Sequence, residues 1–131
     1  TLRIDADCFT QATRLTLEGL GRLETAEFGS KSFSAPDGDV ARIVNCTALK
    51  TLAFDSESCR MFRAVELQEL PSLETLTFVG AFQNAKELKV ENMDKLVSLG
   101  VYGDSFQLSS ALTVRNCPRL RELDTDAFKY G

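Results

Sequence analysis

The sequence predicts a solenoid: a single domain over residues 1–131, mostly parallel β, right-handed, of about five and a half rungs of ~24 residues, with little or no helix. Three observations predict it. Leu23, Leu49, Leu73, Leu96 and Leu120 fall in one column at intervals of 26, 24, 23 and 24 residues. Each interval contains two short stretches in which apolar and polar residues alternate, the period-2 mark of a half-buried strand. Turn-forming residues separate those stretches at repeating offsets, and no stretch carries a helical stripe long enough to compete.

The elements follow in order. A partial rung over 1–11 opens on Leu2/Ile4, and full repeats run about 12–37, 38–61, 62–84, 85–108 and 109–131. The first strand of each repeat is Leu15/Leu17, Ala41/Ile43, Val65/Leu67, Leu88/Val90 or Leu112/Val114. The second is Ala26/Phe28, Leu52/Phe54, Leu76/Phe78, Leu99/Val101 or Leu123/Thr125. Gly19, Gly21, Asn45, Pro71, Asn92, Asn116 and Pro118 turn the chain at one corner; Gly29, Gly80 and Gly103 mark the other. The loop SAPDGD over 34–39 accounts for the longest interval. A rung alone buries too little to fold, so stacking must seal the apolar faces above and below it.

Composition narrows the function classes. At 44% hydrophobic and 26% charged, the chain is neither disordered nor dominated by membrane-spanning stretches, and membrane insertion is not expected. Net charge is −4 and the 15 basic residues are scattered, which argues against nucleic acid as partner. The N-terminus lacks a basic region followed by an apolar core, so no signal peptide is read there. The chain opens in mid-repeat, as a piece of a longer protein would. Neither end carries a polar cap, and each is expected to continue into more repeats, a cap or a neighbouring subunit.

Cysteine and acid patterns point away from catalysis. Cys46 and Cys117 share an inward column with Leu20, Leu70 and Met93, while Cys59 shares one with Phe33, Phe82 and Phe106, beside which Cys8 also falls. Rung spacing of about 4.8 Å puts the members of each pair roughly 10–14 Å apart, beyond disulfide reach, so four free thiols are expected. There is no histidine, no phosphate-binding glycine loop and no Cys-x-x-Cys, so no enzyme, no cofactor and no metal site is expected. Asp5, Asp7, Asp55, Glu57, Asp104, Asp124 and Asp126 gather near one corner, but Gly29, Lys31, Val79 and Gly80 interrupt them. Solvated turn carboxylates, rather than a calcium site, are the expectation.

Two outward features could meet a partner. Thr16, Arg42, Glu66, Lys89 and Thr113 form a column whose charge alternates across three rungs, read first as register-holding ion pairs and second as a binding stripe. Val79 and Tyr102 are outward neighbours and the one hint of an apolar patch. Thr25, Thr51, Thr75 and Ser98 make a hydroxyl ladder bordered by Glu24, Lys50 and Glu74, for which β-propensity suffices. Asn45-Cys46-Thr47 is a glycosylation sequon of the kind chance supplies.

The run L-x-L-x-x-[C/L/M]-x-x-L resembles the core of the leucine-rich repeat, with Cys46 and Cys117 at its Asn/Cys position. The further half, ending in Ser32-Phe33, Ala81-Phe82, Ser105-Phe106 and Ala127-Phe128, is similar to the BspA-like, surface-antigen repeat class of bacteria and protists. That resemblance implies a non-enzymatic protein-interaction or adhesion segment of a longer repeat protein, at the cell surface or outside the cell. The alternative expectation is a structural solenoid that self-associates through open ends into a filament or matrix element. An intracellular scaffold is the remaining reading.

Overall fold

The computed structural model describes residues 1–103, 105, 106 and 111–124. The expected positions of Asp104, Thr125, Asp126, Ala127 and Phe128 lie outside the described residues. Within them the chain is a parallel β-solenoid of about five turns without a helix. One wall is a six-stranded sheet whose order is β1 (Leu2–Ile4), β3 (Thr25–Phe28), β5 (Thr51–Phe54), β7 (Thr75–Val79), β9 (Ser98–Tyr102) and β11 (Glu122–Asp124). The other wall carries β2 (Leu15–Glu18), β4 (Val40–Val44) and β6 (Ala64–Gln68) in one sheet, and β8 (Glu87–Glu91) with β10 (Ala111–Arg115) in a second.

The alternation read from sequence sets the register. Ala26, Leu52, Leu76 and Leu99 stack in one buried column of the six-stranded sheet, and Phe28, Phe54, Phe78 and Val101 in the next. Leu49, Leu73 and Leu96 are fully buried, with Leu23 and Leu120 half-buried at the outer rungs. Each of these leucines closes a tight turn by donating its N–H to the carbonyl three residues back, as Leu73 does to Leu70 at 3.2 Å. Leu20, expected inside with Cys46 and Met93, is instead 40% exposed, because an outer rung has no neighbour to cover it on that side.

Three residues per full rung sit in the left-handed region. At the first corner they are Gly19, Asn45, Glu69, Asn92 and Asn116, the residue types that tolerate it best save for Glu69. At the second corner the positions come in pairs, such as Lys31 with Phe33, Glu57 with Cys59 and Gly80 with Phe82. A phenylalanine with positive φ is strained, and the stack holds it there. The Phe33 N–H reaches the Cys8 carbonyl at 3.0 Å and the Cys59 N–H reaches the Ser32 carbonyl at 2.9 Å, so each strained residue is tied to the rung below.

The residue before that ring column is Ser32, Ser58, Ala81 and Ser105 in successive rungs, all fully buried. The Ser105 hydroxyl accepts the Ala81 N–H at 3.0 Å, whereas the hydroxyls of Ser32 and Ser58 have no partner among the described residues. Ser58→Ala should therefore stabilise by up to about 1 kcal/mol, while Ser105→Ala should cost about 1–2 by orphaning a buried donor. Urea unfolding of the two variants measures this, and equal losses at both sites would contradict the pairing.

All four cysteines are free thiols. Burial alone pushes the Cys59 thiol far above its ordinary value of 9.0. Its folded form thus keeps its proton where the unfolded chain loses it. The linkage gives full stability below about pH 9 and a loss of about 1.4 kcal/mol per pH unit above it. Urea midpoints between pH 8 and pH 10 should fall more for the native chain than for Cys59→Ala; identical falls would mean that Cys59 is accessible.

Candidate interaction site

The sequence predicts a continuous ladder on each wall, and one wall departs from it. Among the described residues no strand pairing joins β6 to β8, so the first wall is split between the third and fourth repeats. The opposite wall runs through that level without interruption: β7 pairs β9, and Val97 donates to the Glu74 carbonyl at 2.8 Å. The second corner is also intact there, with the Gly80 N–H on the Tyr102 carbonyl at 3.0 Å. At the first corner the inter-rung bonds run from Gly19 to Val44, from Asn45 to Gln68 and from Asn92 to Arg115, and they skip Glu69.

The sequence differs at this level. Phe28 to Phe33, Phe54 to Cys59 and Val101 to Phe106 each take five steps, whereas Phe78 to Phe82 takes four. Gly80 is left-handed there, as Lys31, Glu57 and Gly103 are at the longer corners. The arc from β7 to β8, residues 80–86, is the shortest of the arcs at the second corner. The shorter arc falls at the level where the first wall is split.

The split opens a cleft of about 960 Å³. Val65, Glu66 and Leu67 line it from β6, and Glu87, Lys89 and Glu91 from β8. Arg63 and Lys86 stand at the end where both strands begin; Glu69 and Asn92 stand where both end. Val65, an inward residue of the alternation, is only half-buried because of the opening.

The expected partner residues fall on two walls. Arg42 donates to Glu66 across the rungs at 2.8 Å, so that pair holds register within β4 and β6. Lys89 does not extend the column. It lies across the split and pairs with Glu87 of its own strand at 3.7 Å, with Thr113 as its ladder neighbour. Val79 and Tyr102 are neighbours in register on the six-stranded sheet, away from the cleft. The Tyr102 ring folds back over Gly100, where a Cβ would come within 2.5 Å of the ring, and the side chain stays 38% exposed. The structure therefore joins Glu66 and Lys89 at one cleft and separates Val79 and Tyr102 from them. Sequence reasoning misses Arg63, Glu69, Lys86 and Glu91 as site residues, because only the four-step corner signals the split.

Among the described residues no three Asp, Glu or Cys side chains gather as a metal site requires. Asp55, one of the acidic corner residues, is instead engaged locally and accepts the Ser56 N–H at 2.8 Å. No helix among the described residues is long and apolar enough to cross a membrane. No protein-family model, curated protein or solved structure matches the chain.

Proposed function

We propose that the chain is a right-handed solenoid of the leucine-rich-repeat type and serves as a non-enzymatic protein-interaction or adhesion segment of a longer repeat protein at the cell surface. The cleft between β6 and β8 is the observation that carries the interaction reading. It is a concave, charged interruption in an otherwise regular wall, with apolar Val65 and Leu67 at its centre. Concave sites that join an apolar floor to a few fixed polar groups are where ligands are held. The repeat pattern and its resemblance to surface-antigen repeats support the placement outside the cell. Beads carrying the chain should retain a discrete set of surface or matrix proteins and lose it when Glu66→Arg and Lys89→Glu are combined. Retention that is unchanged in this folded double variant, or no retention by the native chain, overturns the reading.

The structural alternative has its own observation. The outer rungs present Phe9 at 58% exposure and Leu123 at 52%, apolar surfaces that suit stacking onto further rungs of this chain or of another copy. Sedimentation over a wide concentration range separates the two. Growing head-to-tail species favour a filament element, and a constant monomer favours the interaction segment.

A further inference from the structure

The split leaves two strand edges facing one opening. β6 is paired to β4 on one side only, and β8 to β10 on one side only, so each turns a row of backbone donors and acceptors towards the cleft. Such edges recruit an added strand. This opening differs from the outer edges of the solenoid, because the continuous six-stranded sheet fixes β7 and β9 behind it. We propose that the split between β6 and β8 takes up an extended segment of another protein, parallel to both strands, with an acidic residue at its start, apolar residues at two alternate positions and a basic residue at its end. The proposal rests on the interaction reading and names the chemistry of the partner. Parts of β6 and β8 come within 8 Å of each other between Cα atoms, so the incoming strand widens the opening as it pairs.

Each part of that specification comes from a named group. The apolar positions would pack on Val65, which is half-buried and open on its cleft side, and on Leu67; the buried Leu88 and Val90 of β8 are reached as the opening widens. At the strand starts, Asp39 is one carboxylate shared by Arg14 and Arg63, with Lys86 standing across the opening. Two guanidinium groups on one carboxylate leave positive charge in excess, which an acidic residue offsets. At the strand ends, Glu91 has Arg115 within 3.8 Å, while Glu69 faces the opening from a left-handed turn with no inter-rung bond of its own among the described residues. A basic residue there meets two carboxylates. Backbone pairing supplies affinity in this mode, and the alternate side chains supply selection.

The test uses fluorescein-labelled Asp-Thr-Val-Thr-Val-Thr-Lys amide, its charge-reversed twin beginning with Lys and ending with Asp, and a twin N-methylated at both valines. Polarisation titrations against the native chain should show the first peptide binding at least tenfold tighter than the reversed one, and no binding by the methylated one. Combining Arg63→Glu with Lys86→Glu should invert the preference between the charged twins. Equal binding of the reversed or methylated peptide overturns strand uptake, since neither can make the specified contacts. Absence of binding by all three overturns it as well. If beads still retain proteins in a manner that depends on Glu66 and Lys89, the interaction reading stands without it. Should the double variant fail to fold, the three peptides against the native chain decide alone.

Discussion

Phe54→Ala should come close to unfolding the chain. Phe54 is fully buried on β5, stacked at 4.9 Å on Phe28 and at 5.2 Å on Phe78, with the Phe82 ring edge-on at 5.0 Å. Removing a buried phenylalanine ring costs about 3–5 kcal/mol in transfer and cavity terms. Ring pairs add about 0.5–1.5 kcal/mol each beyond area, so the upper end of that range is expected. Whole domains are stable by only about 5–15 kcal/mol, which makes this one change a large fraction of the total. Phe54→Leu retains most of the volume and should cost less than half as much. Urea unfolding followed by circular dichroism measures both. A Phe54→Ala loss below about 1 kcal/mol would mean that the ring column does not hold the rungs together.

Leu76→Ala should be the second large effect, and its contrast with Glu66→Ala tests the inward and outward assignment. Leu76 is fully buried on β7, in register with Leu52 and Leu99, and the walls around it are too regular to collapse into the space. The expected cost is about 2–5 kcal/mol. Glu66 and Arg42 lie within 2.8 Å, but their side chains are 44% and 43% exposed, and water shields both partners. Losing that pair should cost less than about 1 kcal/mol. Equal losses at the two positions would contradict the assignment.

The repeat made the walls legible because their determinants are local. Apolar residues two apart must point the same way, so alternation at positions such as Leu88/Val90 names the buried face without knowledge of the rest. Leu52/Phe54 on β5 was readable for the same reason. The glycine and asparagine corners were legible through their tolerance of positive φ, as at Asn92 and Asn116, which also hydrogen-bond one another at 2.8 Å. The same rule could not foresee Phe33 or Phe82 in that conformation, since the stack and not the residue imposes it. Nor could the charge column reveal that Lys89 lies across an opening from Glu66. Alternation describes a strand and says nothing of which strand pairs with it. The four-step corner from Phe78 to Phe82 was visible as an interval of 23, but the split at its level was not.

Amide hydrogen exchange read by NMR tests the central claim, a solenoid with one continuous wall and one split wall, most directly. Amides of β5, β7 and β9 should be protected without a break, as should the Val97 and Ser98 N–H groups bonded to Glu74. Along the other wall, amides of β4 should exchange slowly, while those of β6 and β8 that face the cleft should exchange at rates near those of open strand edges. Protection of β6 and β8 equal to that of β4 would show a closed ladder and contradict both the split and the cleft built on it.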